Sequence, residues 1–417
     1  MNVPNMKEGS MQRKGIILLA TALLFCFLSR AAVLAEQAKP FKIGVAVSLT
    51  GRFGKDGTLV KDAYTLWMDK VNAQGGINGH PVEIIFYDDK SDAPTAAKLT
   101  EQLIESDKVD LLLGGFGSDA VFAASAVAEK RGYPLISGGA SSNKLFERGF
   151  KYYFSTLGKA TEEVRGCVDF SQAVQPKPKT AAIVGADILF TSLACEGFKK
   201  YCGENGVEVV HYELFPMTLE DYNSLLLKVK SKNPDLLLVG SHLLVAMKTM
   251  KALKEIDFSP KAVAFSYGPT VPKFIEELKG DAEYVLAASE WTPNMPYTGP
   301  ILGAARDFNN AYFEKFKRYP DYVEAASDGG ALAQQIVIEK LGLKPPLSKK
   351  DRESIMEKLH AETFDTFYGK IHFGPDGANV AHPPVAVQIQ NGKLMNVFPL
   401  EFAESKIWYP FKPWKER

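Results

Sequence analysis

Cysteine and histidine are scarce in this sequence, and neither sign of charge is in excess. Four of the 417 residues are cysteine and six are histidine. None of them stands in a CxxC or HExxH pattern, two spacings typical of metal sites. Lysine plus arginine equals aspartate plus glutamate, at 49 each, so no basic surface for nucleic acid is indicated. We therefore expect no metal, no cofactor and no nucleic-acid partner.

Motifs for nucleotide binding and for serine catalysis are also missing. The loop GRFGKDG resembles a phosphate loop, but Leu49 stands where GxxxxGK[ST] requires glycine, and Asp56 follows the lysine. Two candidate nucleophiles, Ser118 and Ser141, lie outside any GxSxG pattern, and no histidine is placed by the sequence to activate them. The chain is therefore predicted not to be an enzyme.

The first 35 residues have the pattern of a secretory signal peptide. Three basic residues precede an apolar run at 15–28, and the small-residue pattern Val33-x-Ala35 follows it. The run is shorter than the ~20 apolar residues of a comfortable membrane span. Cleavage near Ala35 is therefore favoured over an uncleaved anchor, and it leaves the mature chain with a net charge near −3.

Three cysteines remain in the mature chain: Cys167, Cys195 and Cys202. An oxidising compartment permits one disulfide, and the odd count leaves one thiol over. Cys195 and Cys202 lie on one predicted helix, about 10 Å apart along its axis, which is too far to bridge in place. All three are predicted to be core residues, and whether a disulfide forms among them stays open.

Strands and helices alternate along the mature chain, whose length of about 380 residues suggests two domains. The pattern starts with a strand at 41–51 and a helix at 58–74, and it begins again after Ser155 with a helix at 160–173. Such alternation predicts an α/β fold with two parallel sheets, each covered on both faces. NG and DG turns near the C-terminus predict a β-hairpin there.

Two consecutive predicted strands end in loops of glycine and serine. They lie in the stretch 111–143, LLLGGFGSDAVFAASAVAEKRGYPLISGGASSN. Helices follow both loops, so backbone N–H groups and hydroxyls converge on one sheet edge, a place suited to a carboxylate. We expect Ser118, Gly139, Ala140 and Ser141 to bind a ligand there, with plain helix capping and turn formation as the alternative.

Aromatic residues follow the predicted strands of the second half. Phe190, His242, Tyr267 and Trp291 could form an apolar wall opposite the Gly/Ser loops, although core packing is equally open for each. His242 could add a hydrogen bond or a positive charge.

The C-terminal ends of the predicted strands in both halves would face each other across a cleft between domains. In the loop after the first strand, Phe53 and Asp56 are expected to border this cleft.

Three segments of the sequence resemble the branched-chain amino-acid-binding family, the periplasmic type I solute-binding proteins of ABC importers. They are IGVAVSLTG, VNAQGGINGHPVEIIFYDDKSDAPTAAKLTEQLI and LLLGGFGSDAVFAASAVAEKRGYPLISGGASSNKL. The resemblance implies two Rossmann-like lobes with parallel-sheet cores that close around an interdomain ligand cleft by a hinge. One lobe would hold residues 41–157 plus about 290–368, and the other 158–289 plus about 369–412.

The resemblance also implies roles for single residues. Ser118 and Ser141 fall on positions that bind the ligand carboxylate, and Gly139 on a backbone carbonyl that receives the ligand ammonium. Phe190 and His242 stand at second-lobe positions that are tyrosine in leucine-type members.

One departure concerns the acid that pairs with the ligand ammonium in this family. Ser266 or Tyr267 occupies its region, and no acid lies between Asp257 and Glu276. An unpaired buried ammonium costs several kcal/mol. Either Asp56 or another acid supplies the charge, or the ligand has no α-amino group. FSYGPTVPKF and SEWTP also look like the branch that includes binders of aromatic carboxylates.

The sequence therefore predicts a monomeric periplasmic receptor of an ABC importer, with an amino acid of the branched-chain type or a related small carboxylate as its ligand. A membrane permease would be its partner. Two alternatives stay open: a binder of aromatic or other organic acids without an amino group, and a ligand-sensing receptor for a membrane signalling protein.

Overall fold

The computed structural model describes residues 38–416. The signal peptide predicted for residues 1–35 therefore lies outside the described residues. Within them, no helix combines the length and apolar character needed to cross a membrane.

The first sheet has five parallel strands in the order β2-β1-β3-β4-β5. These strands are β1 (Phe41–Val47), β2 (Val82–Asp88), β3 (Leu111–Leu113), β4 (Leu135–Ser137) and β5 (Tyr153–Ser155). The helices that connect them are α1 (Gly54–Ala73), α2 (Ala93–Glu105), α3 (Ser118–Arg131) and the short α4 (Asn143–Phe146). One face of α1 is apolar and buried, and it consists of Val60, Ala63, Tyr64, Trp67 and Val71.

The second sheet has seven strands in the order β16-β15-β10-β9-β8-β6-β7. Its strands β15 (Val385–Gln390) and β16 (Lys393–Phe398) come from the C-terminal part of the chain. Its parallel part consists of β6 (Thr180–Ala186), β7 (Glu208–Phe215), β8 (Leu236–Gly240), β9 (Ala262–Phe265) and β10 (Leu286–Ser289). The connecting helices are α7 (Leu189–Glu204), α8 (Tyr222–Ser231), α9 (Leu243–Glu255) and α10 (Pro272–Leu278). Each half of the chain thus has its own sheet, as predicted.

The chain then returns to the first sheet. It forms β11 (Thr298–Gly299), β12 (Gly303–Ala304), α11 (Ala305–Phe316), α12 (Tyr322–Lys340) and α13 (Lys349–Ala361). Helix α12 packs against α1 and β4 and is almost entirely buried. It covers one face of the first sheet with residues from the far end of the sequence.

The C-terminal part contains two hairpins instead of the single one predicted. Strands β13 (Thr363–Asp365) and β14 (Lys370–His372) pair with each other, and Ala378 bridges to Ser155 at the end of the first sheet. The lobe boundary predicted at about 368/369 falls in the turn of this hairpin. Strands β15 (Val385–Gln390) and β16 (Lys393–Phe398) then form the second hairpin, around the NG turn, at the edge of the second sheet.

The helix predicted at 160–173 is interrupted. It forms two short helices, α5 (Ala160–Glu163) and α6 (Gly166–Asp169), followed by one turn of 3-10 helix. Gly166 packs closely on strand β15, because a Cβ at this position would lie 3.1 Å from the Ala386 nitrogen. The interruption thus lets the chain pass from the first lobe into the second and pack against its sheet.

Arg318 holds together a partly buried ionic network at the start of α12. It contacts Glu324 at 2.7 Å and Asp62 at 2.8 Å, and the side chain of Glu324 is completely buried. We expect Arg318→Ala to lower the free energy of unfolding by about 3–5 kcal/mol, since it leaves a buried carboxylate without its cation. Thermal unfolding measures the effect.

Arg131→Ala is the matched control, because Arg131 also bridges two acids, Glu101 and Glu105, but on the exposed surface. This variant should unfold close to the wild-type temperature. Equal losses in both variants would contradict the assignment of the network.

Candidate ligand-binding site

The two Gly/Ser loops, at 114–117 and 138–142, lie side by side at the edge of the first sheet. The Gly117 N–H donates to the Gly139 carbonyl at 3.0 Å, and the Ser142 N–H donates to Ser118 Oγ at 3.1 Å. Ser118 is the first residue of α3, where backbone N–H groups have no partner within the helix. The Ser118 hydroxyl accepts the Ser142 bond and keeps its own hydrogen available for donation.

The second loop lies directly against helix α12. A Cβ on Gly138 would come within 2.3 Å of the Ser327 nitrogen, so only glycine fits there. Thr156 Oγ1 donates to the Ala326 carbonyl at 2.9 Å and fixes the same contact from the end of β5. The start of α12 is thereby brought beside the Gly/Ser loops.

A buried cavity, the interlobe cavity, lies between the two sheets. The first lobe contributes Phe116, Ser118, Gly139, Ala140, Ser141 and Leu157 to its lining. The second lobe contributes Phe190, His242 and Tyr267, and α12 contributes Tyr322 and Val323. Since all these residues are buried, the lobes are closed around the cavity.

Seven of the nine residues predicted to bind a ligand line this cavity: Ser118, Gly139, Ala140, Ser141, Phe190, His242 and Tyr267. Four of its lining residues were missed. Phe116 could have been inferred from its place inside the first Gly/Ser loop. Leu157, Tyr322 and Val323 carry no local signal, because they follow from how distant segments pack.

Phe53 and Asp56 lie next to the interlobe cavity without lining it. The Phe53 ring packs behind Phe116 and His242, with ring centroids 5.7 Å and 4.8 Å away. Asp56 lines a neighbouring cavity between the lobes together with Leu243. Burial raises the pKa of Asp56 to about 7, and repulsion from Glu324 adds to the rise.

The wall of the cavity is aromatic. The His242 ring lies 5.3 Å from Phe190 and 5.6 Å from Phe116, and the Tyr267 ring lies 5.6 Å from Tyr322. Trp291, also considered for this wall, packs in the core on Phe308 and donates its ring N–H to the Phe367 carbonyl at 3.1 Å.

His242 is neutral in this setting. Burial lowers its pKa to about 3, and the nearby charge of Arg52 lowers it further. The ring therefore brings no positive charge to the cavity, contrary to one option left open by the sequence. Its Nδ1 atom is buried without a hydrogen-bond partner among the described residues, and so is the Tyr267 hydroxyl, which lies near the Asp321 carboxyl outside hydrogen-bond geometry.

Two acids lie behind the lining, outside the cavity. Burial raises the pKa of Asp321 to about 8, and repulsion from Glu324 adds to the rise. Burial also raises the pKa of Glu163, repulsion from Glu290 adds to the rise, and the nearby Ser141 hydroxyl opposes it. No aspartate or glutamate is among the residues that line the cavity. Its polar groups are thus hydroxyls, backbone groups and one neutral imidazole.

The buried neutral state of His242 makes the protein sensitive to acid. Unfolded histidine binds a proton below about pH 6.5, whereas folded His242 stays neutral until near pH 3, so its contribution to stability is lost as pH falls. At pH 5 the loss is about 2 kcal/mol. We expect His242→Phe to unfold at a higher temperature, relative to wild type, at pH 5 than at pH 7.5.

Phe190→Leu alters the same wall without a titrating group, so its effect on the melting temperature should be the same at both pH values. An unchanged difference between His242→Phe and wild type at the two pH values would show that His242 is not held neutral.

Comparison with known proteins agrees with this architecture. The leucine-, isoleucine-, valine-, threonine- and alanine-binding protein of Pseudomonas aeruginosa is 24% identical over 341 residues, covering 82% of this chain and 87% of the relative. The branched-chain amino acid transporter substrate binding protein LivJ from Streptococcus pneumoniae, in complex with isoleucine, has a TM-score of 0.75 and 22% identity. That comparison covers 89% of this chain and all of the other.

A solute binding protein of an ABC transporter from Rhodopseudomonas palustris, in complex with 3,4-dihydroxybenzoic acid, superposes equally well. Its TM-score is 0.75 at 21% identity, with 91% of this chain and 99% of the other covered. These structures show that the fold is the type I periplasmic binding fold. The family model described as "Periplasmic binding protein" matches residues 40–393. Because this match extends over most of the sequence, the chain belongs to the periplasmic binding protein family.

Proposed function

We propose that this protein captures a small carboxylate in the interlobe cavity and delivers it to a membrane permease of an ABC importer. The start of α3, the hydroxyls of Ser118 and Ser141 and the backbone of Ala140 form the polar side of the cavity. Backbone N–H groups at a helix start and hydroxyl donors favour an anion. Closure of the lobes around the bound anion is a population shift that the permease can recognise.

The observation that carries the proposal is the combination of this donor-rich side with an aromatic wall and no lining acid. An amino acid would bring a buried ammonium, whose pairing requires an ionised carboxylate. The nearest acids, Glu163 and Asp321, lie behind the lining, and burial disfavours their ionised forms. We therefore favour an aromatic carboxylate without an amino group as the ligand.

Two unpaired polar groups in the wall favour an aromatic acid whose ring also carries hydroxyl groups. His242 Nδ1 and the Tyr267 hydroxyl are buried without partners among the described residues, and a ligand that hydrogen-bonds them would recover the cost of their burial. A ring that carries hydroxyl groups away from its carboxylate would do so. The structural relative solved with 3,4-dihydroxybenzoic acid supports this class of ligand.

The second candidate is a branched-chain amino acid. The Pseudomonas aeruginosa relative, named for binding leucine, isoleucine, valine, threonine and alanine, supports it. In that case Asp321 or Glu163 would have to ionise when the ligand binds.

A thermal-shift panel separates the two candidates. We expect 3,4-dihydroxybenzoate and benzoate to raise the melting temperature, because they stabilise the closed folded state, and isoleucine and leucine to leave it unchanged. Benzamide is the matched control, since it has the same ring without a charge and should give no shift. A shift with isoleucine but not with either aromatic acid would favour the amino-acid candidate.

Single substitutions test the polar side. Ser118→Ala or Ser141→Ala should weaken binding of the aromatic acid by about 1–3 kcal/mol, as expected for lost charge-assisted hydrogen bonds. Isothermal titration calorimetry measures the loss. Ser125→Ala, in the same helix as Ser118 but bonded to the Val121 carbonyl, should bind like wild type. Unchanged affinity in both Ser118→Ala and Ser141→Ala would rule out this binding mode.

A further inference from the structure

Three segments cross between the lobes: the first follows β5, the second follows β10 and the third precedes β15. They meet at one buried residue, Glu290. It follows strand β10 at the second crossing and is 1% exposed. Its Oε1 accepts from the Gly158 N–H of the first crossing at 3.0 Å. Its backbone carbonyl contacts Nε2 of His382 on the third crossing, and its Oε2 accepts from the Tyr368 hydroxyl. Glu290 therefore connects all three crossings of the hinge.

A second buried acid, Glu163, lies beside Glu290 and behind the polar side of the interlobe cavity. Both line a cavity of about 250 Å³ at the hinge, and their charges repel each other. The Ala160 N–H at the start of α5 donates to the Ser141 carbonyl at 2.8 Å, which places Glu163 of the same helix near Ser141, a residue that lines the interlobe cavity. The Glu163 Oε1 is buried without a hydrogen-bond partner among the described residues. One carboxyl pair thus touches both the hinge and the ligand side.

No cation compensates this pair among the described residues. Lys159, which lines the same hinge cavity, forms its ion pair with Asp376 at 2.6 Å. Four other titratable groups face the pair or line the hinge cavity: Tyr322, Tyr368, Glu162 and His382. His382 is neutral because burial lowers its pKa to about 4.

Burial also raises the pKa of both carboxyls, that of Glu290 to about 7. Two acids in one buried site without a cation cannot both ionise at low cost, so such a pair retains a proton near neutral pH.

We propose that Glu163 and Glu290 form a proton-holding pair that positions the Ser141 hydroxyl, so that capture of an anion in the interlobe cavity is coupled to uptake of a proton at the hinge. Glu163 acts here as a positioning residue, through Ser141. The inference rests on the proposed function, since it requires a carboxylate as the ligand.

The coupling follows from the hydrogen bond that the neighbouring Ser141 hydroxyl and Glu163 carboxyl can form. When Glu163 is ionised, the hydroxyl donates to it and presents only lone pairs to the cavity, which repel a carboxylate. When Glu163 is protonated, its own O–H can donate to Ser141, and the serine hydrogen is released toward the ligand. The anion thus favours the protonated pair, and a proton from solvent enters when binding starts from the ionised pair.

Calorimetric titration with benzoate, which has no group that titrates between pH 7 and 9, measures this proton when it is repeated in buffers of different ionisation enthalpy. Wild type should take up as much as one proton per ligand at pH 8, and its affinity should fall, by at most ten-fold per pH unit, above pH 7. Glu163→Gln should bind the acid with little proton uptake and a flat pH profile. Binding by wild type without proton uptake between pH 7 and 9 would overturn the proposal.

A ligand-free measurement separates this inference from the proposed function. The folded pair holds a proton that the unfolded glutamates release above about pH 4.3, so its contribution to stability is lost as pH rises through neutrality. Glu163→Gln should therefore gain melting temperature relative to wild type between pH 5 and pH 8.5.

Glu162→Gln, whose acid pairs with Lys200 on the surface, should show no such gain. If no carboxylate binds, the proposed function and the coupling both fail. If the carboxylate binds but Glu163→Gln keeps the wild-type pH dependence of melting, only the proton-holding pair is refuted.

Discussion

The interlobe cavity depends on one close backbone contact, between the second Gly/Ser loop and helix α12. Gly138 lies so near the Ser327 nitrogen that no side chain fits between them. At the start of the same helix, Arg318 links the buried Glu324 to Asp62 of α1 and holds the helix against the first lobe. This fixed distance brings Tyr322 into the cavity opposite the second lobe. The second Gly/Ser loop therefore packs tightly on α12 and also presents its backbone N–H groups and hydroxyls to the cavity.

Carboxyl groups surround the interlobe cavity without lining it. Asp56, Glu163 and Asp321 are all buried nearby, and burial disfavours the ionised form of each. Neutral acids behind hydroxyls and aromatic rings leave the polar side as the region that best accommodates negative charge. In the binding mode that we propose, the preference of the cavity for an anion is set by groups that do not touch the ligand, and protonation at the hinge contributes to recognition.

Much of this arrangement could be predicted from local sequence, and the rest could not. The strand, Gly/Ser loop and helix units are short and continuous, so Ser118, Gly139 and Ser141 were placed correctly beside one another. Tyr322 and Glu163 were missed because their positions depend on segments far apart in the chain. The charge of His242 cannot be predicted from local sequence for a similar reason. Its pKa is lowered to about 3 by burial, and the rings that bury it come from both lobes.

The most direct test of the account is a crystal structure of the protein with the aromatic acid that stabilises it most. The account predicts closed lobes and a carboxylate bound to Ser118 Oγ, Ser141 Oγ and the backbone of the second Gly/Ser loop. The ring should lie among Phe190, His242, Tyr267 and Tyr322. A carboxylate directed toward the second lobe, or an acid bound outside the interlobe cavity, would contradict it.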